Sequence, residues 1–198
     1  MSKKLRYEPI YIAPEIMGWL DMNGNPLVLD ERYNIELDPR NSNHKILIYE
    51  RQVFDWFLLP ALDLIKFKNK NKGFIVLMLC LSYLEGVEQY KRGESSNRKS
   101  KEFFTSSIKK LYPQKFNDHQ LKTFYSEARC GLFHNGMVQG KIIINNRFSE
   151  SLNFEGNDIK VSPSKFLKDI IKDFQDYVQL LKTDETARNL FATMYSNI

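Results

Sequence analysis

The sequence predicts a mainly α-helical protein, and three observations carry that expectation. Apolar residues recur at helical spacing in several stretches after about His44. Proline, glycine and small polar residues punctuate those stretches at Pro60, Gly73, Gly93, Pro113, Gly136 and Pro163. Period-two patterning is confined to the first 43 residues and to residues 138–161. Together they describe an up-and-down helical bundle over residues 44–198. A small β hairpin is inserted at 138–161, before the last long helix, and residues 1–43 form an irregular or β-hairpin extension.

The elements follow in order. In "WLDMNGNPLVLDERYNIEL", Asn23-Gly24 separates two short apolar runs and reads as a hairpin turn. "LDPRNSNHK" is a loop, and Ser42 or Asn43 can cap the helix that follows. "ILIYERQVFDWFLLPALDLIKF" is apolar almost all round, so it should be buried, and Pro60 should kink or break it. After the basic loop "KFKNKNKG" comes a second apolar helix, "FIVLMLCLSYLEGVEQYKRG". A shorter helix, "KEFFTSSIKKLY", ends at Pro113. The next runs from Asp118, its expected N-cap, to His134, with Gly136 as its stop. Turns at Asn145-Asn146 and Gly156-Asn157 break the β insertion. Ser162 as cap and Pro163 at the first helical position open the last long helix, and the C-terminal tail forms a short helix or frays.

Composition excludes several function classes. With 198 residues and 42% hydrophobic content, the chain suits a single domain with a real core. The apolar run from Phe74 is too short to span a bilayer, and Glu8, Pro9 and Pro14 interrupt the N-terminus where a signal peptide needs an apolar stretch. A cytoplasmic protein with no membrane association is expected. Cys80 and Cys130 lie apart, outside any C-x-x-C, and no Asp/Glu/His cluster has metal-ligand spacing, so neither a disulfide framework nor a metal is expected. Phosphate-loop, serine-hydrolase and dinucleotide signatures are missing, and no cofactor is expected.

The net charge of +5 is unevenly spread. Lys66 to Lys115 holds 12 Lys/Arg and 4 Asp/Glu, so the remainder carries −3. A local basic excess suits an anionic partner such as RNA, although charge runs are often only a solvated surface. Lys66, Lys68, Lys70 and Lys72 alternate in one loop. If the helices alternate up and down, that loop shares an end with His134 and can hold phosphates there, while Arg92, Arg98, Lys99 and Lys101 fall at the opposite end.

The candidate site is "EARCGLFHNGM". On a helical wheel Leu121, Phe124, Tyr125, Ala128 and Leu132 make the core face. Arg129 lies roughly 70° off that face and His134 roughly 140° beyond Arg129. An ideal helix cannot aim both at one point. Either the helix distorts near Gly131, or a second protomer completes the arrangement across a two-fold axis. Arginine holds phosphoryl oxygens and stays charged, and histidine moves protons near neutral pH, so the pair fits phosphodiester cleavage. The competing reading is structural: Arg129 pairs with Glu85, set in the apolar second helix, and His134 caps a last-turn carbonyl. The two readings are compatible if Glu85 orients Arg129.

Arg129-CGLF-His134, on the penultimate long helix with Asn135-Gly136-Met137 after it, resembles the R-x4-6-H motif of the HEPN superfamily, in its uncharacterised prokaryotic branches. The resemblance covers about Ile46 to Leu181 in organisation. It implies a homodimeric HEPN-like bundle and a metal-independent endoribonuclease, as in toxin–antitoxin or antiviral defence systems, with RNA as substrate and an antitoxin or other protein as partner. Arg129 and His134 would be the catalytic pair, with Glu85, Cys130 and Asn135 in support. Members that have lost catalysis bind RNA or proteins instead. Two positions depart from the pattern: Cys130 stands where active members often carry a polar Asn, Asp or His, and Met137 where a tyrosine marks members controlled by a nucleotidyltransferase.

Overall fold

The computed structural model describes residues 5–66 and 72–195. The protein is mainly α, with two small sheets. It divides into two compact units, one of residues 1–60, 90–94 and 177–198, the other of residues 61–89 and 95–176. The first helix falls in the same unit as the N-terminal sheet.

In the first unit the N-terminal segment is more regular than expected. Strands β1 (Ile10–Ala13), β2 (Ile16–Leu20), β3 (Pro26–Asp30) and β4 (Ile35–Glu36) form an antiparallel sheet in sequence order. The hairpin sits where Asn23-Gly24 predicts it. Asp21 holds the turn by accepting from the N–H groups of Asn23 (2.9 Å) and Asn25 (2.7 Å), and Gly24 takes φ +80°, which a side chain would resist. Alternation turns Ile16 and Gly18 of β2, and Val28 and Asp30 of β3, inward. Helix α1 (Ser42–Val53) lies against β1 and is capped by Asn41 rather than Ser42 or Asn43, because the Asn41 carboxamide reaches the N–H groups of Asn43 and His44. Its Arg51 grips the fully buried Asp30 through two nitrogens, at 2.9 and 2.7 Å, and Gln52 donates to the Ile12 carbonyl at 2.7 Å. Tyr49 packs with Tyr90, Phe191 and Tyr195, at ring separations of 4.7, 5.1 and 5.9 Å.

The expected break at Pro60 is a widened turn instead. Phe54–Leu58 is π-helical, the Leu59 N–H reaching the Phe54 carbonyl five residues back, and helix α2 (Leu59–Lys66) carries on. Proline cannot bond the carbonyl four residues back and its ring crowds that carbonyl, so a wider turn upstream relieves both problems.

The second unit is built on helix α3 (Gly73–Arg92), whose last turn runs into the first unit. Val76, Leu77, Cys80, Leu81 and Leu84 are buried along it. Helix α4 (Ser100–Leu111) buries Phe103, Phe104 and Ile108. Helix α5 (Asp118–Phe124) is capped by Asn117, not Asp118: Asn117 and Gln120 cap each other reciprocally, and Asp118 pairs with Lys109 at 2.6 Å. Phe124 joins Phe104 to Phe166 in the core, at 5.8 and 6.3 Å.

The β insertion is larger than a hairpin. Strands β5 (Ile142–Ile144), β6 (Leu152–Glu155) and β7 (Asp158–Val161) form a sheet in the order β5-β7-β6, with β6 and β7 antiparallel and β5 parallel to β7. The Gly156-Asn157 turn makes the local pair. The parallel partner comes from farther along the chain, which short-range turn signals do not report. Helix α7 (Pro163–Thr183) opens at Pro163 as expected, but its Ser164 N–H is taken by the Asn146 carboxamide at 3.0 Å rather than by Ser162. The tail forms helix α8 (Glu185–Met194), capped by Asp184, which accepts from the Ala187 N–H at 2.6 Å.

Candidate functional site

The helix that carries the Arg–His motif changes its winding at the motif. After α5, Tyr125–Cys130 is π-helical, and α6 (Gly131–Asn135) completes the run. The Gly131 N–H reaches the carbonyls of Ser126 and Ala128 and skips that of Glu127, which accepts from the Gln139 N–H at 3.0 Å instead. At the stop, Gly136 adopts φ +69° and the chain doubles back over the helix. A Cβ on Gly131 would meet the Met137 carbonyl oxygen at 2.7 Å and the Gln139 nitrogen at 3.2 Å, so only glycine lets the returning backbone lie this close. Gly131→Ala should cost about 1–3 kcal/mol, read by urea unfolding, because backbone rather than a mobile side chain must move.

Arg129 turns inward. Its Nη2 donates to Glu85 Oε2 at 2.9 Å, so the ion pair expected from the sequence forms. Glu85 is itself fixed, its Oε1 accepting from the hydroxyls of Ser96 (2.8 Å) and Ser100 (2.7 Å). The guanidinium lies 5.0 Å from the centre of the Phe133 ring and 5.7 Å from that of Tyr125. Among the described residues Nε and Nη1 of Arg129 have no hydrogen-bond partner, and 22% of the side chain is exposed. The Arg129 head is held at one nitrogen and open at the others.

His134 and Asn135 are exposed and make no side-chain hydrogen bond or ion pair among the described residues. His134 therefore caps no carbonyl of its helix. The winding does distort before Gly131, as one sequence expectation required, yet Arg129 and His134 make no contact within the chain. Phe133 and Met137 beside them are 43% and 60% exposed.

Cys130 is partly exposed, and the Tyr125 phenol is held above its ordinary value by burial and then by Cys130 beside it. Burial pushes the Cys80 thiol far up. A maleimide should therefore modify Cys130 promptly in the native protein and Cys80 only on unfolding, which mass spectrometry of labelled peptides checks.

The lysine loop is expected to hold phosphates, and the structure describes part of it. Lys66 pairs with Asp63 at 2.9 Å on its own helix, Lys72 lends its carbonyl to the Val76 N–H, and Lys68 and Lys70 lie outside the described residues. Part of the basic excess is met by acids from outside the segment, Lys109 by Asp118 and Lys115 by Glu150, while Lys110 meets Glu88 within it. Because Ser96 and Ser100 bind Glu85, the segment between α3 and α4 abuts the Arg129 site. Arg98 and Lys101, which flank Ser100, are exposed and have no ion-pair partner among the described residues. The sequence signal was available in Glu85 and Glu88, two acids one turn apart in an apolar helix. Each needs polar company, and the serines of 95–107 are the nearest supply.

Among the described residues no group of His, Cys, Asp and Glu could hold a metal ion, and no helix is long and apolar enough to cross a membrane. Comparison of the chain with protein-family models, with curated proteins and with solved structures finds no match.

Proposed function

We propose that the helical unit is a HEPN-like module that binds RNA at Arg129 and cleaves it with His134, as a homodimer and without a metal ion. The observation that carries this reading is the contrast at one helix end. An arginine is anchored by a single nitrogen with its other donors open, and five residues on stands an exposed imidazole with no partner. Arg129 would hold the non-bridging oxygens of the scissile phosphate and offset the charge that builds on them. Imidazole at His134 would take the proton from the ribose 2′-hydroxyl or return one to the leaving oxygen. The 2′-oxygen bonds to phosphorus as the bond to the 5′-oxygen breaks, leaving a 2′,3′-cyclic phosphate and a 5′-hydroxyl.

The homodimer answers a geometric need. Arg129 faces α3 and His134 faces outward, so a second copy beside α6 can bring one chain's imidazole to the other's guanidinium. Exposed Phe133 and Met137 next to His134 supply apolar surface for such a contact. An RNA-cleaving dimer of this kind suits a toxin or antiviral effector in the cytoplasm, with an antitoxin as protein partner.

The test is direct. The purified chain, incubated with single-stranded RNA in EDTA, should yield fragments ending in 2′,3′-cyclic phosphate. Uncut RNA sinks the nuclease. A second reading rests on the Arg129–Glu85 pair and on Cys130 directly after the arginine: a non-catalytic module that holds RNA or a protein. Under that reading RNA is bound and stays intact.

A further inference from the structure

The outward face of the N-terminal sheet holds a cavity separate from the Arg129 motif. Ile16, Gly18, Val28 and Asp30 turn inward, so alternation leaves Trp19 of β2 and Leu27 and Leu29 of β3 facing outward. The register sets Trp19 opposite Leu27, and Leu29 opposite Glu36 of β4. One face therefore runs from an indole across two leucines to a carboxylate. Asp38 and, from the first turn of α1, His44 join these side chains around a cavity of about 450 Å³. Sites for small molecules span about 300–1,000 Å³.

The charges in the cavity are of one sign. Glu36 and Asp38 bring two carboxylates, and no Lys or Arg is among the residues that line it. The Glu36 carboxylate has no hydrogen-bond or ion-pair partner among the described residues. One Asp38 oxygen accepts from the Arg40 N–H at 2.8 Å, which leaves the other open. His44 Nδ1 accepts from the Asp38 N–H at 2.9 Å. With that lone pair spent, the hydrogen of the ring sits on Nε2, and the imidazole brings no charge into the cavity.

An anion placed here would meet two like charges. A neutral apolar molecule would take water from the carboxylates without matching them. A cation on an apolar body satisfies both halves: its charge meets the carboxylates, its body covers the leucines, and an indole face attracts a cation.

We propose that this cavity binds a small organic cation, an ammonium or guanidinium on an apolar body. Trp19, Leu27 and Leu29 are its apolar wall, and Glu36 and Asp38 are its counter-charges. The volume suits a free ligand rather than one side chain of a peptide. The site lies wholly within the first unit and is independent of the nuclease reading.

The experiment follows the Trp19 indole N–H by NMR in the full, isotope-labelled chain, the signal being assigned by its loss in Trp19→Phe. The probe is phenethylamine, with phenethyl alcohol as a neutral counterpart of similar size. The amine should shift the signal saturably and bind about fivefold more tightly than the alcohol, the upper yield of an exposed ion pair. The Glu36→Gln/Asp38→Asn chain should bind both alike. Equal affinity for amine and alcohol in the parent chain overturns the proposal. So does an undiminished preference in the folded double variant, or the lack of a saturable shift with either compound. If the double variant does not fold, Glu36→Gln alone removes an exposed side chain with no partner to lose, and the preference should fall about twofold. An unchanged preference there has the same force. A capped Gly-Lys-Gly peptide that binds more tightly than the amine overturns the assignment to a free small molecule.

Discussion

His134→Ala should reduce RNA cleavage by about 10²–10⁴-fold, the usual contribution of a positioned proton-transfer group, and should leave the fold intact. The side chain is exposed and bonds to nothing in the chain, so its removal should change stability by no more than about 0.5 kcal/mol. That separation makes the variant informative: lost cleavage with unchanged thermal unfolding, RNA binding and dimerisation is a chemical defect. Arg129→Ala is a less clean companion, because it also strips Glu85 of its cation and the rings of Phe133 and Tyr125 of theirs. Cleavage persisting at the parent rate in His134→Ala removes His134 from the reaction. Mixing His134→Ala chains with Arg129→Ala chains tests the dimer. If each active centre joins one residue from each copy, the mixed dimer keeps one intact centre and recovers activity.

Asp30→Ala should cost about 3–5 kcal/mol, a large part of the 5–15 kcal/mol that holds a typical domain. Asp30 is 0% exposed and receives both nitrogens of Arg51, itself nearly buried, as well as the Arg32 N–H at 3.0 Å. Removing the carboxylate strands a nearly buried guanidinium, whose remaining hydrogen-bond acceptor among the described residues is the Pro14 carbonyl at 3.4 Å. Urea unfolding should show the midpoint fall with the slope unchanged. The double variant Asp30→Leu/Arg51→Met should regain most of the loss, since neither charge then needs a match. A loss under about 1 kcal/mol in Asp30→Ala would mean that water reaches the arginine and that the pair is not buried as drawn.

The sequence conveys what is local. Asn23-Gly24, Gly136 and Pro163 each impose a backbone angle or deny a donor, and each sits where a turn, stop or start is found. Glu85 could be matched with Arg129 because an acid in an apolar helix demands a base, and Arg129 lay near the core face. The same logic applied to Arg51 in α1 would have called for Asp30, whose place on the inward parity of β3 is visible beside Val28. What stayed hidden depends on separations along the chain that no pattern encodes: the parallel pairing of β5 with β7 and the Asn146 cap on α7. The π segments stayed hidden for another reason. Wheel arithmetic assumes about 100° per residue, and a slip in the hydrogen-bond ladder changes no residue's hydropathy.

The wide turn at Tyr125–Cys130 bears on how such motifs should be sought. A π segment takes up one additional residue without interrupting the rod on either side, so Arg129 and His134 hold their directions through winding as well as through count. A cousin with a tighter rod could present the same two groups with one residue fewer between them. A pattern search with a fixed gap would pass over it, while superposition of the side-chain directions would not.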